Sequence, residues 1–153
     1  MKFEGTISID APRDKVWASI INPHLVSQCA PGLKSLEIVE PDKLFKVVVG
    51  IGFGSVMVTF TTNVEFVELT APDYARMRAH GTAPGSAVDV TGEMRLSDET
   101  DNKTSLAWTA DVAVVGSIAG LASRMMSGLT KKLTNDFFTC FKEKIEVRSK
   151  IQA

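Results

Sequence analysis

The sequence is poor in the residues that do chemistry. It holds two histidines, two cysteines and one tyrosine. Neither His24 nor His80 has a second histidine or a cysteine at metal-ligand spacing, so no metal site is expected. Cys29 follows His24 by five positions, but no third group stands by to orient that pair, and nucleophilic catalysis is not expected either. Cys29 and Cys140 are far apart in sequence. They read as free, buried thiols, which points to a reducing compartment and hence the cytoplasm. An excess of one charge is also missing. Seventeen basic and 18 acidic residues leave a net charge of −1, which removes the electrostatic case for nucleic acid. No run is long and apolar enough to span a bilayer. The opening MKFEGTISID alternates as a strand does and does not read as a signal peptide. Without repeats, linkers or low-complexity segments, residues 1–153 read as one domain, long enough to bury a real core.

What the sequence does have is periodicity. From Ser117 to about Glu146 there is no proline, and the only glycines are Gly120 and Gly128. Ile118, Leu121, Ala122, Met125, Met126, Leu129 and Leu133 share one broad arc at helical spacing. A helix of roughly 30 residues spans about 45 Å and must lie along something equally extended. The preceding residues supply it. Lys2 to Asp10 alternates, with Phe3, Gly5, Ile7 and Ile9 on one face. Ala11-Pro12 then starts a short helix with Val16, Trp17, Ile20 and Ile21 on its apolar side, and Asn22-Pro23 ends it. Pro23 to Cys29 forms a second short helix, closed by Ala30-Pro31-Gly32.

Six strands follow: Leu33 to Glu40, Leu44 to Phe53, Ser55 to Leu69, Tyr74 to Thr82, Ala87 to Leu96 and Thr104 to Val115. Turns such as Pro41-Asp42, Pro72-Asp73 and Pro84-Gly85 separate them, and Ser97 to Lys103 reads as a polar turn. Hairpin-length connections make these strands antiparallel neighbours. One face is apolar and the other polar, and the long helix is the cover available for the apolar face. The fold class is α+β.

The inward positions carry bulk rather than charge. Phe60, Phe66, Met77, Met94 and Trp108 come from strands, and Met125 and Leu129 from the helix. Soft methionines beside aromatic rings suit either a packed core or an apolar cavity. Asp89, Glu93, Arg95 and Asp111 alternate outward, so no acid–base constellation is visible among them. Gly50-Ile51-Gly52-Phe53-Gly54 is followed by a strand where a phosphate-binding loop would need a helix. It reads instead as glycines at bends or bulges of a curved sheet. Beyond Leu133 the helix changes face. Phe137 and Phe141 move to one side, and Phe138 and Ile145 fall opposite the original centre. Lys131, Lys132, Lys142, Lys144, Arg148 and Lys150 flank this end. Its residues either pack under the first strand and short helices, or form a contact surface with a basic rim.

This order resembles the helix-grip fold of the START and Bet v 1 (SRPBCC) superfamily, in which a curved seven-stranded antiparallel sheet wraps a long C-terminal helix, with two short helices after strand 1. FEGTISIDAPRDKVWASIINP, the C-A-P-G at Cys29 to Gly32 with Leu36-Glu37, the Gly50–Gly54 ribbon and SRMMSGLTKKLTNDFF narrow the resemblance to the carbon monoxide dehydrogenase G-subunit family. The resemblance implies a cavity between sheet and helix. Its walls are expected at Phe53, Val58, Phe60, Met77, Met94, Trp108, Leu121, Met125 and Leu129, with Ile118 to Leu133 as the roof. It further implies a non-enzymatic accessory protein with no covalently bound cofactor, holding a quinone or lipid-like ligand. Molybdenum hydroxylase subunits and the inner face of the membrane are the implied partners. A protein-only adaptor, or a cyclase or hydrolase of the superfamily, is the alternative. Longer family members carry a C-terminal extension that can reach the membrane. The sequence to Ala153 shows none, so an anchor within this chain is not expected.

Overall fold

The computed structural model describes the backbone of residues 1–152 and the side chains through residue 147. The elements are β1 (Lys2–Ile9), α1 (Arg13–Ile20), α2 (Pro23–Cys29), β2 (Leu33–Glu40), β3 (Leu44–Phe53), β4 (Val56–Thr70), β5 (Tyr74–Ala83), β6 (Ser86–Thr100), β7 (Lys103–Gly116) and α3 (Ala119–Gln152). All seven strands join one antiparallel sheet in the order β1-β7-β6-β5-β4-β3-β2. β1 closes onto β7, so the sheet edges are β1 and β2.

Local chemistry explains the elements. Pro12 precedes α1 in an extended conformation, and Asp14 sits in its first turn, where the dipole favours an acid. Asn22 caps α2: its side-chain oxygen accepts from the backbone N–H of His24 and Leu25, and Pro23 occupies the first turn. The start of α3 is fixed from the neighbouring hairpin. Ser117 N–H donates to Gly85 O at 2.9 Å. The Ser86 and Ser117 hydroxyls lie 3.1 Å apart, and Ile118 N–H donates to Ser86 Oγ.

Two expectations about loops change. The segment read as a turn at Ser97–Lys103 is mostly strand, because β6 runs to Thr100 and β7 begins at Lys103. Polar side chains do not stop a hydrogen-bonded ladder, and the pairing continues through Ser97–Ser105 and Asp98–Thr104. This polar extension helps clamp α1: Arg13 pairs at 3.4 Å with Asp98, and also with Asp73 of the β4–β5 turn. Thr104 is buried and donates to Ala11 O at 2.7 Å. The glycine ribbon contains no bulge, since β3 and β4 pair without interruption from Leu44 to Phe53, and its last glycine, Gly54, makes the β3–β4 turn at φ +66°. At Gly50 its role is close approach. Gly50 N–H donates to Gly32 O at 2.8 Å. Gly32 has φ +76°, and a Cβ on it would lie 2.1 Å from Gly50 O, so a side chain fits there neither conformationally nor sterically.

The core is divided. One cluster gathers Ile9, Val16, Trp17, Ile20, Leu25, Leu96, Leu106, Phe141 and Ile145 beneath the C-terminal half of α3. The other gathers Phe53, Phe60, Ile118, Ala122 and Met126 beneath its N-terminal half. The change of face after Leu133 is thereby explained. Phe141 and Ile145 are fully buried, and Phe137 and Phe138 pack against the same cluster, so this end of the helix is core and Ile145 is no contact surface. Arg148 and Lys150 of the basic flank lie outside the described side chains.

The reading of Cys29 and Cys140 as free thiols is overturned. They form a disulfide with 5.5 Å between their Cα atoms, joining the last residue of α2 to α3. Sequence alternation says nothing about which helices meet, and the two cysteines become neighbours only once α2 packs on α3. The inference from free thiols to a reducing compartment loses its basis. A link across a sequence separation of 111 removes about 4–5 kcal/mol of unfolded-chain entropy in the simple loop model. Phe141→Ala should cost about 3–5 kcal/mol in urea melts, and truncation after Leu133 should abolish cooperative melting. A truncated chain that still melts cooperatively would show that the helix end is dispensable.

Candidate functional site

Between the two clusters α3 has no fully buried residue from Ser127 to Cys140. The helix bridges a gap there, and a pocket of about 230 Å³ lies beneath it.

Its floor follows from sheet register. Phe3 pairs with Ala110, Ala110 with Gly92, Gly92 with Met77, and Met77 with Phe66. This row crosses five strands and puts its two smallest residues in the middle, between large ones. A row of that shape makes a depression in the sheet. The next row supplies a wall: Trp108 stands between Gly5 and Met94, with Ala75 beyond. Gly5 is required for that wall, because a Cβ there would lie 2.7 Å from Trp108 Nε1. The roof comes from Thr130, Thr134 and Phe138, spaced one helical turn apart. Phe138 stacks on Trp108, with centroids 6.4 Å apart and planes at 26°, and Phe137 and Phe141 brace it. The Thr134 hydroxyl is engaged by its own helix, donating to Thr130 O at 2.8 Å.

The expected wall residues divide between the pocket and the packed cluster beside it. Met77, Met94 and Trp108 line the pocket. Phe53 and Phe60 are buried in the N-terminal cluster, and Val58, Leu121, Met125 and Leu129 pack against that cluster. Met125 meets the β3–β4 turn, where a Cβ on Gly54 would lie 3.5 Å from its Cε. Phe3, Ala110, Val112, Thr130 and Thr134 line the pocket outside the expected walls, whereas Phe66 stands among the inward residues suited to a core or cavity and Phe138 in the stretch where the helix changes face. Phe3, Phe66, Ala110 and Val112 sit on the inward faces that alternation identifies. The two threonines, four apart, interrupt the apolar arc over the gap, and that interruption was the available signal.

Chemically the pocket offers shape and apolar surface. Glu93, the one ionisable residue at its border, occupies a position that alternates to the outer face. Both histidines are exposed. His80 Nδ1 lies 2.6 Å from Asp89 Oδ1 on the outer face, paired across β5 and β6. Tyr74 is also on that face, under the Arg95 guanidinium at 4.4 Å from the ring centroid. Its phenol is held above its usual range by desolvation, with Glu93 adding to the effect. Among the described residues no group of three or more His, Cys, Asp or Glu side chains could hold a metal. No described helix is long and apolar enough to cross a membrane.

Gly5→Ala should push the Trp108 indole out of place, lowering stability by about 1–3 kcal/mol and shifting the tryptophan emission. Unchanged emission and melting would mean that Trp108 is not held by this contact.

Comparison with known proteins agrees with the fold. Residues 5–146 match the model of the CoxG family, described as the G subunit of carbon monoxide dehydrogenase. A conserved protein from Geobacillus kaustophilus superimposes with a TM-score of 0.87 at 26% identity, over 95% of each chain. The Zhui aromatase/cyclase from Streptomyces sp. R1128 gives 0.75 at 20% identity, covering 97% of this chain and 94% of that one. Truncated norcoclaurine synthase from Thalictrum flavum gives 0.66 at 10% identity, covering 95% and 92%. The last two share the helix-grip architecture, and at those identities the likeness is one of fold. A search of curated proteins finds no match.

Proposed function

Because the chain belongs to the CoxG family of carbon monoxide dehydrogenase, we propose that it is a non-enzymatic accessory protein that carries a flat, apolar small molecule between its sheet and α3. The observation that carries this reading is the cross-strand row with Ala110 and Gly92 at its centre, roofed by Thr130, Thr134 and Phe138. Sheet and helix both leave room at the same place. At about 230 Å³ the pocket is smaller than the roughly 300–1,000 Å³ that holds a drug-sized ligand. It fits a single ring or a ring-sized part of a longer molecule. Trp108, Phe138 and Met77 offer faces and soft edges to such a ring. A quinone headgroup matches this size and shape. In this reading the protein serves a carbon monoxide dehydrogenase-type molybdenum hydroxylase in the cytoplasm, at the inner face of the membrane. The apolar walls favour carriage over catalysis, since a cyclase or hydrolase needs a proton donor or acceptor aimed into the site.

Duroquinone tests this reading, because its fully methylated ring does not alkylate thiols. Titration should quench tryptophan emission saturably and raise the melting temperature. Trp108→Phe should remove most of the quench and keep the thermal shift. Ala110→Leu, which fills the floor, should fold normally and lose both responses. A wild-type protein with neither response, or an Ala110→Leu variant that keeps both, would overturn the assignment of this pocket.

A further inference from the structure

The sheet–helix space is not closed by packing on every side. β2 is an end strand, paired only with β3. On the concave faces of β2 to β4, Leu36 pairs with Val47, Ile38 with Phe45, and Phe45 with Val64. Leu36, Ile38, Val47 and Val64 belong to neither packed cluster, and Ile38 is 37% exposed. This open strip reaches the pocket through Phe66, which lines it and meets Phe45 edge-on with centroids 5.7 Å apart. The side of the grip between β2 and α3 is therefore the way in.

One covalent bond spans that side. α2 ends at Cys29, which is bonded to Cys140 of α3. Three residues later Gly32 docks on Gly50 and the chain enters β2. The sheet, α3, the disulfide, α2 and β2 thus form a closed ring around the pocket. We propose that the Cys29–Cys140 disulfide is a redox-operated latch on the pocket entrance, closed when oxidised and open to ligand exchange when reduced. This rests on the pocket being a ligand site.

The two sides of the latch are unequally anchored. The anchorage of α3 is Phe141 and Ile145, fully buried in the cluster beneath its C-terminal half. α2 has seven residues, too few for a helix stable by itself. Apart from the bond its anchorage is Leu25 and the packing around it. Reduction therefore loosens α2 and the link to β2, and leaves α3 in place. The chemistry is ordinary exchange with a dithiol reductant. A thiolate of the reductant attacks Sγ of Cys140, the less buried partner, and Cys29 leaves as a thiolate that takes up a proton. The second thiol of the reductant then displaces Cys140. Two electrons and two protons reach the cysteine pair, and the reductant becomes a disulfide.

The test uses N-phenyl-1-naphthylamine, a neutral aromatic probe indifferent to thiols, with the whole chain oxidised or reduced by dithiothreitol and the free thiols counted. Stopped-flow release should be at least tenfold faster after reduction. The double variant Cys29→Ser, Cys140→Ser should release fast in both conditions. Amide hydrogen exchange without probe should accelerate over residues 23–33 on reduction and stay slow over 137–147. Equal release rates with two free thiols counted would overturn the latch. If the probe fails to bind, exchange decides alone. Faster exchange at 23–33 then supports the latch while counting against the pocket as a ligand site, and unchanged exchange overturns the latch.

Discussion

A helix of 34 residues, about 51 Å long, cannot pack along its whole length on a sheet whose strands curve away from it. This mismatch governs the structure. α3 is held where side chains can reach it, at its two ends, and each end has its own core. At one end Ile118, Ala122 and Met126 meet Phe53 and Phe60. At the other, Phe141 and Ile145 meet β1, α1 and α2. The middle is carried across, and the pocket is what lies beneath the carried part. The short helices follow from the same constraint. Without α1 and α2 the far end of α3 would have only half a core, so the polar β6–β7 extension holds α1 through Arg13 and Thr104.

Much of this is legible in the sequence, for a physical reason. Alternation at period two and recurrence at 3.6 come from the backbone itself, so strands, inward faces and the long helix can be read from residues such as Phe60, Met94 and Leu106. The drift of the apolar arc at Phe137 and Phe138 is equally local, and it marks where α3 passes from one core to the other. Features that depend on register are not legible. That Ala110 and Gly92 lie side by side between Phe3 and Met77 depends on three strand pairings, and no single segment reports them. For this reason Met125 and Leu129, which are inward by periodicity, pack against the neighbouring cluster, while Thr130 and Thr134 roof the pocket. The cysteine pairing is hidden in the same way, since it requires the docking of α2 on α3.

The division of chemistry across the sheet follows from the cost of burial. Asp89, Glu93 and Arg95 of β6 stand on the outer face, where water solvates them, while Asp98 at the sheet's end pairs with Arg13 of α1, and no fully buried side-chain N or O among the described residues lacks a partner. Thr104 reaches Ala11 O, and Ser86 serves the first turn of α3. A proton-transfer group in the pocket would need a counter-charge or hydrogen bonds there to stay ionised, and the row from Phe3 to Phe66 supplies neither. The walls are suited to recognising a shape.

A gap of this kind is costly if it serves nothing. At about 24 cal/mol per Å³ of residual cavity, a 230 Å³ pocket forfeits at most about 5.5 kcal/mol, the upper bound applying to a fully closed void. That is comparable to the whole net stability of many domains. The remedy would be simple for a protein that needed only to be stable. A leucine in place of Ala110, which lines the floor, would fill it. Gly92 has room for a methyl, since a Cβ there would meet Met77 Cγ at 3.4 Å. Two small residues side by side, opposite two threonines in an otherwise apolar helix face, preserve the space from both directions. A ligand that enters restores the lost contacts, so its binding free energy and the stability of the closed fold become one quantity. On this view the disulfide that closes the grip also sets how fast that exchange occurs.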